Sequence, residues 1–294
     1  MNARIWVVND YLTTIPGTRT LWHDLCEWVG GEWHGGEFGT LADRVASELD
    51  QPDLIIRNGS YFEPIDSPAR TISLIQDIQW YPGKDRQVKI GLAADMVVFN
   101  SEYTKSRYPE LASKPCRVIP LSVDFDLFRP MPYVAKQFDI CWIGAMSPIK
   151  GFDILKELVR GTGYTFAVVL KDAAVGSPHE RVKVFTRIPH TELVNVINSC
   201  RIGLCTSRLE SQHLAGIEMG ACGLPLVTTA IGAYYGRAAD CWGLAVASPV
   251  DLLNALYRAL LGGADRSDAI RRYWMEAGFT RDACRSAWLE AVEW

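Results

Sequence analysis

The stretch from Thr206 to Thr229 reads TSRLESQHLAGIEMGACGLPLVTT. Its first part is polar and its middle is apolar and small. Gly223 and Pro225 then punctuate it ahead of the apolar Leu226-Val227. This order predicts a loop, a helix, a glycine stop and a buried strand. Glu210 falls in the loop and Glu218 about two turns inside the helix. In an open parallel sheet such a loop opens at the C-terminal edge of the strands, where ligands bind. The plain alternative is a pair of solvated glutamates around a core helix.

Outward from this stretch the chain alternates between short apolar runs and helical periods. Ala3 to Val8, Asp53 to Asn58, Thr71 to Asp77, Asp95 to Asn100 and Arg117 to Leu121 read as strands in the first half. A helix is expected from Thr18 or Thr20 to Gly30, and others at Thr40 to Leu49, Val88 to Ala94 and after Ser101. Trp33 to Gly39 reads as irregular. Val123 to Tyr133, with its aspartates and prolines, reads as an interdomain linker. A second alternation follows: strands at Phe138 to Gly144, Thr165 to Leu170, Val182 to Phe185, Ile202 to Cys205, Leu226 to Thr228 and Gly243 to Val246. Helices are expected after Gly151, from His190, and through the tail (Val250 to Leu261, Ser267 to Glu276 and Thr280 to Trp294). Alternation of this kind argues parallel sheets covered by helices.

The chain has 294 residues, which suits two domains. The division expected is 1–131, 132–279, and a last helix at 280–294 that returns to the first domain, with Trp288 as its anchor. The first 131 residues carry 13 Lys and Arg against 18 Asp and Glu, and the remainder 17 against 16. That balance argues against a protein built mainly to grip nucleic acid. No run approaches the roughly 20 apolar residues of a membrane span. The eight cysteines are scattered without a CxxC pair, as expected of reduced thiols in a cytoplasmic protein with no bound metal. The nucleotide-binding patterns GxGxxG and GxxxxGK[ST] are absent.

Three stretches carry a resemblance. Ser101-Glu102-Tyr103-Thr104-Lys105, with Val118-Ile119-Pro120-Leu121-Ser122-Val123-Asp124 and Phe128-Arg129-Pro130, comes first. Gly144-Ala145-Met146-Ser147-Pro148-Ile149-Lys150-Gly151 follows. Glu210-x7-Glu218 with Ala221-Cys222-Gly223-Leu224-Pro225 comes last. In order and spacing they resemble the group-1, family-4 retaining glycosyltransferases of GT-B fold, over about Asp95 to Ala230. The resemblance implies an α/β chain of two Rossmann-like, doubly wound domains facing a cleft. It implies transfer of a hexose from a UDP- or GDP-sugar with retention, without a metal or a further cofactor. The alternative is a catalytically weakened nucleotide-sugar or glycan-binding protein of the same fold.

Carried over residue by residue, the resemblance makes Lys150 the phosphate-binding lysine, Glu210 the ligand of the donor sugar's hydroxyls and Glu218 the ligand of the ribose. A carboxylate suits paired hydroxyls because it offers two acceptor oxygens. Gly144, His213, Leu214 and Ile188 join the donor site, the last through the backbone at Thr186-Arg187-Ile188. Gly17 and Arg19 are candidates from the loop after the first strand. The family's phosphate-binding arginine falls on Ala145, so Arg208, Arg19 or Lys171 is expected to replace it. Its first-domain histidine falls on Gln76, beside Asp77, the candidate contact for the acceptor. The acceptor itself stays open among a glycan, a lipid, a protein and a modified nucleobase.

Overall fold

A computed structural model describes residues 3–9, 16–35, 51–60, 67–79, 82–171, 179–238, 242–246, 248–261 and 266–294. The chain divides into two compact units. One comprises Met1–Ser122 with Arg281–Trp294, the other Val123–Thr280.

The first unit holds strands β1 (Ile5–Asn9), β2 (Glu32–Gly35), β3 (Leu54–Asn58), β4 (Arg70–Ile75), β5 (Met96–Phe99) and β6 (Cys116–Val118). They form a six-stranded sheet in the order β2-β1-β3-β4-β5-β6, every pair parallel. Most are continuous apolar runs because helices cover both faces. Val7, Ile56, Leu74 and Val98 meet Trp22, Leu25 and Trp28 of helix α1 (Pro16–Val29) on one face. Helix α2 (Gly83–Ala93) follows β4, and the short helix α3 (Glu102–Ser106) follows β5. Ser101 caps α3, its hydroxyl accepting from the Thr104 N–H at 3.0 Å.

The tail helix α9 (Arg281–Glu293) packs in this unit, where Trp288 and Cys284 join the α1 face. Arg281 donates to Asp24 of α1 at 2.7 Å, and Arg70 donates to the Trp294 and Val292 carbonyls at 2.6 and 3.1 Å. A cation on the last carbonyls suits a helix C-terminus.

The second unit holds β7 (Phe138–Gly144), β8 (Phe166–Leu170), β9 (Val182–Thr186), β10 (Cys200–Cys205), β11 (Leu226–Thr229) and β12 (Gly243–Val246). Their order is β12-β11-β10-β7-β8-β9, again all parallel. Alternate residues of each strand serve two cores. Ile140, Trp142, Phe166 and Val168 face α4 (Phe152–Gly161) and α7 (Leu252–Leu261). Cys141, Ala167 and Val169 face α5 (His190–Asn198), α6 (Leu214–Ala221) and α8 (Ser267–Trp274). A π-helical turn, Met275–Phe279, leads from α8 to α9.

Three expectations are corrected. Glu32–Gly35 is a parallel edge strand on β1, not irregular chain. The stretch after Ser122 is no linker: Val123, Phe125 and Phe128 are buried in the second unit's core, so that unit begins at Val123 and not after residue 131. Arg271 fixes this stretch by donating to the Phe125 and Phe128 carbonyls at 2.8 and 2.7 Å. Helix α6 begins only at Leu214, which puts Glu218 at the start of its second turn. The helix expected at Thr40 to Leu49 lies outside the described residues.

Candidate functional site

The order of the second sheet reverses between β7 and β10. Chains leaving two such strands cross to opposite faces and open a crevice at the strands' C-terminal ends. The loops there are 145–151 after β7 and 206–213 after β10, which are the loops that carry Lys150 and Glu210.

Thr206 stitches the two loops together. Its hydroxyl donates to the Lys150 and Gly151 carbonyls, at 2.8 and 3.0 Å, and accepts from the Trp142 indole at 2.9 Å. Gly151 has φ 66°, and a Cβ there would strike the Thr206 carbonyl, so only glycine allows this close approach. Arg208 adds a second stitch. Its backbone N–H donates to the Ile149 carbonyl at 2.8 Å, and its guanidinium grips both Asp153 oxygens, at 2.8 and 2.7 Å, and the Pro148 carbonyl. The cation expected to replace the missing arginine is thus paired with an aspartate on α4. Lys171 follows β8 and is exposed.

Lys150 Nζ lies 2.6 Å from Glu210 Oε1, and the Ser207 hydroxyl donates to the same oxygen at 2.7 Å. Glu210 Oε2 carries no hydrogen bond among the described residues. Burial pushes the Glu210 carboxyl up, but the charges of His213 and Lys150 and the hydrogen bonds from Lys150 and Ser207 outweigh it. The carboxyl is held below its ordinary range. The site therefore holds an ionised carboxylate with one oxygen anchored and one open, beside a half-exposed ammonium.

Glu218 is partly buried on α6, and its carboxylate makes no hydrogen bond among the described residues. Burial pushes its carboxyl up to about 7, against the opposing pull of His213. Such a group is ready to accept from hydroxyls that arrive with a ligand. His213 precedes α6 in the left-handed region, φ 70°. Its ring is buried and turned inward, with Nδ1 2.6 Å from the Tyr234 hydroxyl. Leu214 is the first residue of α6, where backbone N–H groups favour an anion. Gly144 ends β7, against the Trp142 ring. Ile188 follows Arg187, whose φ of 52° is the other left-handed non-glycine residue among those described. Strain of this sort collects at ligand sites.

Asp77, Gly17 and Arg19 lie in the first unit. Gly17 and Arg19 fall in the first turn of α1, and their side chains lie outside the described residues. Asp77 follows β4 and its Oδ2 accepts from Ser60 at 3.3 Å and Gln79 at 2.9 Å. Gln87 donates to the Ser60 hydroxyl and the Asp77 carbonyl, and Tyr108 donates to Gln87. Burial pushes the Asp77 carboxyl up against the hydrogen bonds from Gln79 and Ser60.

Sequence reasoning missed Thr206, Ser207, Cys205, Asp153 and Tyr234. Cys205 directly precedes the loop of Glu210 and Thr206 and Ser207 open it, and their position was the available signal. Tyr234 joins through the fold alone.

No family model matches the chain. D-inositol 3-phosphate glycosyltransferase 1 of Catenulispora acidiphila is 27% identical over 240 residues, which are 68% of this chain and 56% of that protein. The chain thus spans little more than half of that relative's length. Among solved structures, Anabaena HepE in complex with UDP superposes with a TM-score of 0.77 at 15% identity, over 99% of each chain. Sucrose-phosphate synthase from Thermosynechococcus elongatus superposes with a TM-score of 0.75 at 15% identity, over 99% of this chain and 98% of that one. The chain has the two-sheet GT-B fold of these glycosyltransferases, and its resemblance to the group-1 family extends to a curated relative.

Proposed function

We propose that this chain is a retaining, nucleotide-sugar-dependent hexosyltransferase that uses a UDP- or GDP-sugar and a hydroxyl acceptor, with cytoplasmic residence. The observation that carries the reading is the Lys150–Glu210 pair at the switch point of the second sheet, 2.6 Å apart with one carboxylate oxygen left open. The bound UDP in the HepE structure, and the UDP-glucose in another HepE structure that superposes with a TM-score of 0.76, support the donor class.

In this reading the diphosphate lies between the Lys150 ammonium and the first N–H groups of α6. Charge builds on the leaving phosphate as the glycosidic bond breaks. A fixed cation and oriented N–H groups stabilise that charge without rearranging. Glu210 offers Oε2 to the sugar hydroxyls while Oε1 stays on Lys150 and Ser207. Glu218 takes the ribose hydroxyls, and Gly144 and the backbone at Ile188 complete the nucleotide's surroundings. Arg208 acts through Asp153 by fixing the loop of Lys150. No side chain is placed as a nucleophile. Retention then follows from attack on the face the diphosphate leaves, with that phosphate taking the acceptor's proton. Asp77 is assigned to the acceptor, whose identity lies among a glycan, a lipid, a protein and a modified nucleobase.

The test is release of nucleoside diphosphate from a panel of UDP- and GDP-sugars, with and without simple glycoside acceptors. The reading expects release from at least one donor, abolished in Glu210→Ala. Nucleotide binding without release from any donor would turn the chain into a binding protein of this fold.

A further inference from the structure

Behind Glu210 the imidazole of His213 joins three elements. Its Nδ1 lies 2.6 Å from the hydroxyl of Tyr234, which follows β11. The ring also pairs with the thiol of Cys205, the last residue of β10. His213 is itself the N-cap of α6. All three side chains are buried, with 8% of His213, 3% of Cys205 and 1% of Tyr234 exposed. The packing admits no slack, because a Cβ on Gly216 would collide with the Tyr234 hydroxyl and the His213 ring. The backbone is tied at the same place: the Ala233 N–H donates to the Gln212 carbonyl at 2.9 Å.

We propose that His213 is a positioning residue: clamped between Cys205 and Tyr234, its ring holds loop 207–213 so that Glu210 faces the donor sugar. The inference rests on the donor reading of Glu210 and deepens it. It also assigns the unusual Ser211-Gln212-His213 sequence a task other than touching the ligand. Glycine is the default residue at a positive φ, so a histidine there bears a strain that only the ring's contacts offset.

The charged ring is the form that the surroundings favour. Burial disfavours it, but the Cys205 thiol, through charge and hydrogen bond, and Glu210 outweigh burial and the repulsion of Lys150. Glu218, one turn along α6, and Tyr234 are the other titratable groups facing it. The ring therefore gives up its proton above the ordinary histidine range, and the clamp weakens as it does.

Three variants separate the ring from the backbone. His213→Gly keeps the left-handed conformation and removes the ring. Cys205→Ala keeps the ring and removes its sulfur partner, and Tyr234→Phe removes the other contact. Turnover of a UDP-sugar, UDP affinity by calorimetry and the pH profile of kcat are measured for each. His213→Gly is expected to keep UDP affinity within about threefold and to lose about tenfold to a hundredfold in kcat, the scale of a misplaced contact. In Cys205→Ala the alkaline limb of kcat is expected to move to lower pH, since the ring loses the neighbour that favours its charged form. Tyr234→Phe is expected to lower kcat without moving KM. Wild-type kcat in His213→Gly, or an unmoved alkaline limb in a folded Cys205→Ala, overturns the clamp while leaving the transferase reading intact. Failure of the wild type to bind UDP or GDP overturns that reading, and the clamp with it.

Discussion

At the edge of the second sheet Glu210 gives Oε1 to Lys150 and Ser207 and keeps Oε2 open. At the edge of the first, Asp77 gives Oδ2 to Ser60 and Gln79, and Oδ1 carries no hydrogen bond among the described residues. The two carboxylates have the same mechanical arrangement and opposite electrical ones. Glu210 has a cation against it and is held ionised. Asp77 sits among neutral side chains and is pushed toward its protonated form by burial. In the proposed reading the first environment suits a leaving diphosphate and the second a neutral acceptor hydroxyl. Two parallel-sheet edges of like build thus carry opposite electrical environments through the residues seated on them.

The comparison breaks most visibly at Lys150. Lys150→Ala is expected to lower kcat by about a hundredfold to a thousandfold, the usual cost of one preorganised charge contact to a developing anion. Asp77→Asn is expected to leave UDP affinity unchanged. Steady-state kinetics and calorimetry read the two, and near wild-type turnover in Lys150→Ala would remove the donor edge's distinguishing charge. Next in size is Gly151→Ala. Its positive φ and the Thr206 carbonyl against it predict a loss of about 1–3 kcal/mol in denaturant unfolding, with a fall in turnover because Lys150 is adjacent.

A smaller effect separates stapling from binding. If Arg208 works through Asp153, Arg208→Ala and Asp153→Ala should each lower turnover by about threefold to tenfold, and the double variant no further. A much larger loss in Arg208→Ala alone would give that guanidinium a phosphate contact of its own. The smallest effect concerns stability. Asp77 titrates above its unfolded value, so its burial begins to oppose folding as the pH rises through about 3.9 and does so fully above the folded value. Asp77→Asn should therefore raise Tm at pH 7 and leave it unchanged at pH 3.5.

The parallel sheets were legible because doubly covered strands read as apolar runs, as at Leu54–Asn58 and Phe166–Leu170. Glu32–Gly35 was not legible: an edge strand of Glu, Trp, His and Gly has neither a run nor an alternation to show. The stretch from Val123 misled because its aspartates and prolines hide two buried phenylalanines, Phe125 and Phe128. In the site, Glu210 and Lys150 were legible from motif order. Their contact spans 60 positions and comes from the switch point, which only the strand order reveals. Tyr234 left no trace in sequence, since its partner His213 lies 21 positions away on the far side of β11.

The central claim is that the edge of the second sheet receives a nucleotide, with Glu218 on its ribose. Its most direct test is calorimetric titration of UDP and GDP into the wild type and Glu218→Gln at pH 6 and pH 8. With the carboxyl at about 7, the wild type is expected to bind its nucleotide about tenfold tighter at pH 8, where the carboxylate accepts from both ribose hydroxyls. Glu218→Gln should bind more weakly at pH 8 and keep only the phosphate's own pH dependence, which the comparison of the two proteins removes. Equal affinities and equal pH dependences in the two proteins would contradict the claim.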